Sequence, residues 1–401
     1  MSIRSSILAL LLLLASFGHA LNAFGVGTHW SEAKYWPILK KAGVQWIRID
    51  LSWYHFENSP GQFGNTSVDQ ALRTADSLGL KVVGILGYCP TWAASGPDNK
   101  FAPQEQFFPQ WLAYLDSTVS RYQNQVDAWE IWNEPDHDAF FRSGQGTHAW
   151  NTDPSLSPVK MKMGDYLWLQ TQSLQHLRAK FGAQLFITSS GFALGGKHNP
   201  DFYPTLLQDH PEIWKQQNAL SIHGYGFPSS KSLLERARIA REFKKTYPTY
   251  PVWLTEHGVT GFNKQSIPVE DAGAFMVRNY ALGLSSGIDK IFWFRLMPGN
   301  DYATLIDKSG TPTPFLGIYT RLIQHWAPAT SITPWNGDSQ LEGATAILPD
   351  KSKALILWSD NGSVSLTLPG IVSARDIFGN PRSIAPLKID KSPLFITVHA
   401  P

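Results

Sequence analysis

Eight short apolar runs before residue 300, each separated from the next by a stretch of helical spacing, constrain this chain more than any other feature. The runs occupy residues 24–27, 44–51, 80–87, 126–132, 184–189, 219–222, 251–254 and 290–294. Segments with helix-compatible spacing lie between them at 31–42, 69–78, 106–121, 165–180, 232–246 and 271–285. A strand that alternates with a helix needs a right-handed crossover, and repeated crossovers build a parallel sheet. Eight such units in about 300 residues fit a (β/α)8 TIM barrel, an α/β fold of typically ~250 residues before insertions. The structural alternative is a doubly wound open sheet, but no glycine-rich phosphate loop follows the first run.

In such a barrel the chemistry collects at the carboxyl ends of the strands. This chain's unusual polar residues fall there: His29 and Trp30 after the first run, Arg48, Asp50 and Trp53 on the second, Tyr88 and Trp92 after the third. Asn133 and Glu134 follow the fourth, His223 and Tyr225 the sixth, Glu256 and His257 the seventh, and Trp293 and Arg295 lie on or just after the eighth. The fifth ends in Ser189-Ser190-Gly191 and is uninformative.

Two of these ends match in kind. Residues 126–136 are an apolar strand closing in Asn133-Glu134-Pro135, with Pro135 expected to stop the strand because it lacks an N–H. Residues 251–258 are an apolar strand closing in Thr255-Glu256. Hydrolysis of a glycosidic bond needs two carboxyl groups, one protonated to assist the leaving oxygen and one ionised to attack or to activate water. Burial is expected to raise Glu134, while Arg48 and the Tyr225 hydroxyl keep Glu256 ionised. Simpler readings run beside these. Arg48 could pair only with Asp50, His29 and His223 could be satisfied core histidines, and Glu57 reads as structural or as a substrate rim. Trp53, Trp92 and Trp150 could stack on sugars or be core.

The segments Trp-Asn-Glu-Pro-Asp at 132–136, Thr-Glu at 255–256, and Trp53, Glu57, Pro60-Gly61 and Phe63 after the second run resemble glycoside hydrolases of clan A, most closely family 39. His223-Gly-Tyr225 and Phe292-Trp293-Phe294 add to the likeness, which spans residues 24–326. It implies a retaining mechanism with Glu134 as acid/base and Glu256 as nucleophile. It further implies that Asn133 holds the sugar 2-hydroxyl, that Arg48 and Tyr225 orient Glu256, and that Trp293 floors the subsite. His257 after the nucleophile departs from the pattern, and no motif ties the chain to one sugar.

Composition narrows the rest. The chain has 401 residues, 16 of them Trp, and a formal charge of only +2, so nucleic acid is a poor partner and a carbohydrate a good one. Arg4, the apolar run 7–15 and Gly18-His19-Ala20 read as a cleavable signal over residues 1–20, so the protein is expected to be secreted or periplasmic, without a membrane-spanning helix. Cys89 is the single cysteine, expected to be a small buried side chain. The barrel is assigned to 21–326. Residues 327–401, with β runs at 344–348, 354–358, 364–368 and 394–398, are expected to form a small antiparallel, sandwich-like β-domain packed on it. The whole is read as a monomeric glycosidase without cofactor or metal. Its competitors are a non-catalytic carbohydrate-binding barrel and a metal hydrolase using His29, His223 and His257.

Overall fold

The computed structural model describes residues 21–144, 158–194, 201–228, 231–299 and 301–399. The expected signal at 1–20 and Trp150 lie outside the described residues. Eight parallel strands form the barrel: β1 (Phe24–Gly27), β2 (Trp46–Asp50), β3 (Lys81–Leu86), β4 (Ala128–Ile131), β5 (Ile187–Thr188), β6 (Leu220–Tyr225), β7 (Val252–Gly258) and β8 (Lys290–Phe294). Their order is β5-β4-β3-β2-β1-β8-β7-β6, and bridges Thr188–Ala219 and Phe192–Ile222 join the two ends into a closed cylinder. Helices lie between the strands, among them Thr66–Leu78, Phe108–Tyr122, Pro158–Phe181, Lys231–Thr246, Val269–Ser285 and Pro314–Trp326.

Successive side chains on a strand face opposite sides, so the sequence of each strand dictates what fills the barrel. Trp46, Val83, Ala128, Ala219, Trp253 and Phe292 come from different sides of the cylinder yet form one cluster, so they plug its interior. Two residues further along, the same inner rows carry Arg48, Glu130 and Ser221. The interior therefore changes from apolar to charged along its axis. The outward rows, such as Ile47, Ile49, Trp129, Ile131 and Leu254, join the large core under the helices.

Of the strand boundaries that differ from expectation, three bear on the site. β4 ends at Ile131 because Trp132 turns left-handed (φ 68°), so the ladder stops before Pro135 can stop it. β5 shrinks to two residues. β7 runs through Glu256 to Gly258, with its register slipping against β6 between Ile222 and His223. The slip inserts one extra residue in β7, so that Thr255 and Glu256, adjacent in sequence, both reach the interior.

Beyond the barrel, β9 (Ser331–Pro334), β10 (Glu342–Ile347), β11 (Lys353–Trp358), β13 (Ile371–Arg375) and β15 (Leu394–Val398) form a five-stranded antiparallel sheet in the order β13-β15-β11-β10-β9. β12 (Val364–Leu366) and β14 (Leu387–Ile389) pair separately. β9, β13 and β14 were not foreseen, being short or largely exposed. One face of the larger sheet, with Ala344, Ala354, Ile356, Trp358 and Phe395, belongs to the barrel's own core. The other face, with Leu355, Leu357, Ile396 and Val398, makes a small second core with β12 and β14.

Candidate active site

At the carboxyl end of the barrel, Arg48 is buried and fully engaged. Its Nε donates to Glu130 Oε2 (2.5 Å), Nη1 to Glu256 Oε1 (2.6 Å) and Nη2 to Asn133 Oδ1 (2.7 Å). Asp50, the partner considered from sequence, makes none of these bonds: it is the half-buried last residue of β2 and acts on Arg48 only through its charge. Tyr225 donates its hydroxyl to Glu256 Oε2 (2.7 Å), so both oxygens of Glu256 accept a strong donor.

Glu134 sits beyond β4 with φ 43°, a conformation that costs a non-glycine residue on the order of 1–3 kcal/mol. Its backbone N–H donates to Gly191 O (2.9 Å), which helps to hold the turn. Asp136, the last residue of the Trp-Asn-Glu-Pro-Asp segment, accepts the N–H groups of Ala193 (3.0 Å) and Leu194 (2.8 Å) and ties the same turn to the segment after β5. Glu134 Oε1 lies 2.7 Å from His223 Nδ1, and that nitrogen is 3.7 Å from Glu256 Oε2. His223 thus stands between the two carboxyl groups rather than in the apolar core.

Electrostatics separates these groups. Burial works to raise Glu256, but His223, Arg48 and the Tyr225 hydroxyl outweigh it and hold the carboxyl below its ordinary range. Burial works to lower His223, and the two neighbouring carboxylates outweigh that and raise it. The Tyr225 hydroxyl is pushed well up, first by burial and then by Glu256, and stays a donor.

The remaining expected residues lie at varying distance from this centre. Tyr88 is buried, with Lys100 Nζ 3.4 Å from its ring centroid. His29 accepts from Ser31 N–H (3.2 Å) and caps the short helix Trp30–Tyr35 at the barrel rim. Trp92 donates to Glu57 O (3.2 Å) and packs edge-on against Trp53, 5.3 Å between rings. Trp53 is fully buried and donates to Glu57 Oε2 (2.8 Å), so both Trp53 and Glu57 serve packing. Trp293 is also fully buried, donates to Ala303 O (3.0 Å), and lies beneath the site rather than on its surface. Cys89 is buried and free.

His257 points away from the carboxyl pair, with Nδ1 2.5 Å from Gly224 O and Nε2 3.2 Å from Asn279. The three histidines considered as a metal set are therefore not assembled. Glu134, His223 and Glu256 are close enough to offer one, but Arg48 and Tyr225 already engage both oxygens of Glu256. Glu130, which the sequence reading passed over, is fully buried on β4 beneath them. Its one visible signal was a charge in the middle of an apolar strand. Beside the pair opens a cavity of about 610 Å³, bordered by Glu134, Phe140, Leu194, Tyr225, Glu256 and Tyr302.

No family model matches the chain. It is 21% identical over 296 residues to endo-1,4-beta-xylanase 5 of Arabidopsis thaliana, an alignment covering 71% of this chain and 47% of that protein. The chain thus spans about half the length of the curated relatives it matches. Among solved structures, a family 39 glycoside hydrolase from Bacteroides cellulosilyticus WH2 superposes with a TM-score of 0.72 at 18% identity, covering 94% of this chain and 81% of that one. A GH30 endoxylanase from Clostridium papyrosolvens C71 gives 0.63 at 11%, covering 96% and 98%. In fold and in the motifs at its strand ends, the chain resembles the glycoside hydrolases of clan A, those of family 39 among them.

Proposed function

We propose that the protein is a secreted or periplasmic, retaining glycosidase that cleaves β-glycosidic bonds in a polysaccharide or oligosaccharide. The observation that carries this reading is the approach of the two carboxyl groups. One atom each from Glu134, His223 and Glu256 lie within 4.8 Å of one another. Retaining enzymes place their carboxyls about 5–5.5 Å apart and inverting ones about 6.5–9.5 Å, the latter leaving room for a water between them. The names of the matched relatives, xylanases and a family 39 hydrolase, agree with a carbohydrate substrate. Among the described residues no helix is long and apolar enough to cross a membrane.

In the first step Glu256, held ionised by Arg48 and Tyr225, attacks the anomeric carbon while Glu134 gives its proton to the leaving oxygen. In the second, Glu134 takes a proton from the water that frees the sugar from Glu256. His223, placed at hydrogen-bond distance from Glu134, keeps that carboxyl aimed across the scissile bond. Asn133, fixed by Arg48, is positioned to meet the sugar hydroxyl next to the anomeric carbon. Trp293 supports the site from beneath, and His29 and Trp92 belong to its rim. A cavity of this size lies within the range of small-ligand sites, about 300–1,000 Å³.

Two variants test the roles separately, on a panel of polysaccharides and aryl glycosides with product sizes recorded. Glu256→Gln is expected to abolish turnover on every substrate with the melting profile retained. Glu134→Gln is expected to lose about 10²–10⁴-fold on sugar leaving groups but far less on a dinitrophenyl glycoside, whose leaving group needs no proton. Full activity of Glu256→Gln would remove the nucleophile assignment. Heat on titration with polysaccharide, without any product, would make the chain a binding protein instead.

A further inference from the structure

Arg48 has one positive charge and two carboxylates to share it, and the second of these has no place in the reaction as set out above. Glu130 is fully buried, four residues before Glu134, and accepts the Nε edge of the guanidinium at 2.5 Å. Its other oxygen accepts the Ser221 hydroxyl, which lies 2.5 Å from the Thr255 hydroxyl, one residue before Glu256. Glu130 therefore reaches Glu256 by two routes, through Arg48 and through the bulged backbone of β7. A charged group in the barrel interior is costly unless each of its atoms is paired, and here both oxygens are. A salt bridge for stability alone would not need a third party that is itself at the reacting centre.

We propose that Glu130 is a positioning residue of the reaction: by holding the Nε edge of Arg48 it turns the guanidinium onto Glu256 and Asn133, and by drawing on its charge it leaves Glu256 reactive. The inference rests on Glu256 being the nucleophile. A carboxylate that receives the full charge of a buried guanidinium is well stabilised and for that reason a poorer attacking group. Glu130 divides the charge, so Glu256 is ionised at working pH without being over-stabilised. The charged and titratable groups around Arg48 and Glu256 are Glu130 from β4, Glu134 after it, Asp50 from β2, Tyr88 after β3, His223 and Tyr225 from β6, and Tyr302 after β8. Of these, Glu130 is the one whose carboxylate meets Arg48 from the side away from the substrate cavity.

The test is the acidic limb of the kcat/KM profile, which reports ionisation of Glu256 in the free enzyme. Glu130→Gln keeps the shape of the side chain and removes its charge. Arg48 then serves Glu256 alone, and the limb is expected to move down by about one pH unit, with kcat falling at least tenfold at the wild-type optimum. Ser221→Ala, a smaller change that leaves the Glu130 carboxylate and its Arg48 contact in place, removes the hydroxyl from Glu130. Glu130 then draws harder on Arg48, and the limb moves the other way, up by a few tenths of a unit. Glu130→Asp, which keeps the charge, is expected to restore the wild-type limb while kcat remains low. A limb that stays in place in both Glu130→Gln and Ser221→Ala would overturn the proposal and leave Glu130 a structural residue. If instead Glu256→Gln remains active, it is the nucleophile assignment that has failed.

Discussion

A methyl group added at Gly191 would lie 2.2 Å from Nε2 of His223 and 2.9 Å from its ring carbons. The ring is buried with Glu134 on its far side, so it can yield only by giving up that contact. Gly191→Ala is therefore expected to lower kcat/KM at least tenfold and to destabilise the fold by about 1–3 kcal/mol, read from steady-state kinetics and a urea titration. Wild-type kinetics in this variant would show that the His223–Glu134 contact is dispensable. At this scale the sequence was informative where a residue broke the pattern of its own segment. Glu134 and Glu256 stood out because each ended an apolar run. Glu130 broke its run as plainly, but a mid-strand charge has no position-specific meaning until the barrel interior is built around it. Gly191 was one of 32 glycines, and only the placement of His223 gives it a role.

The elements themselves were legible because burial on both faces writes β-branched and aromatic runs that need no tertiary knowledge. Their ends were less so. The left-handed turn at Trp132, the bulge at Thr255 and the two-residue β5 are set by what neighbouring strands demand, and the chain carries no local mark for them. Aromatic residues in the segments after β2 and β3 were ambiguous for a similar reason. Trp53, Trp92, Trp111 and Tyr114 pack against one another, so an indole at a strand end is not by itself a sugar platform. Trp53→Ala is expected to cost about 3–5 kcal/mol by chemical denaturation, with KM essentially unchanged where the fold survives. A raised KM at unchanged stability would return Trp53 to the substrate.

Across the whole molecule, the buried His257 and the half-buried His325 contribute to the response to acid. His257 and His325 are each lowered by burial to about 4, from an ordinary value of 6.5, with a backbone carbonyl from Gly224 or Leu355 partly opposing the shift. Above pH 6.5 both are neutral folded and unfolded, and pH has no leverage through them. Between 6.5 and 4 the unfolded chain takes up protons that the folded one refuses, so stability falls as pH falls, by up to ~3 kcal/mol for each. His223, raised rather than lowered, acts in the opposite sense: its stabilisation is complete below 6.5 and is lost as pH rises through its folded value. Urea titrations at pH 7.5, 5.5 and 4.5 check the balance, and His325→Gln is expected to flatten the acid slope without touching the site. An equally steep slope in that variant would place the acid sensitivity elsewhere.

His325 also marks how the last seventy residues are joined to the rest. It meets Leu355 O, and Trp326 donates to Ala354 O, both across the boundary between the final barrel helix and the five-stranded sheet. The same sheet face shares its core with the Val269–Ser285 helix, whose Asn279 meets His257 beside Glu256. A path of contacts thus runs from the carboxyl-terminal strands to the neighbour of Glu256. For recombination, natural or engineered, a cut after residue 326 would break these contacts and expose the apolar sheet face that the barrel helices cover. Exchanging the terminal sheet alone is therefore expected to lower the melting temperature of the barrel, unlike the swap of a tethered cassette.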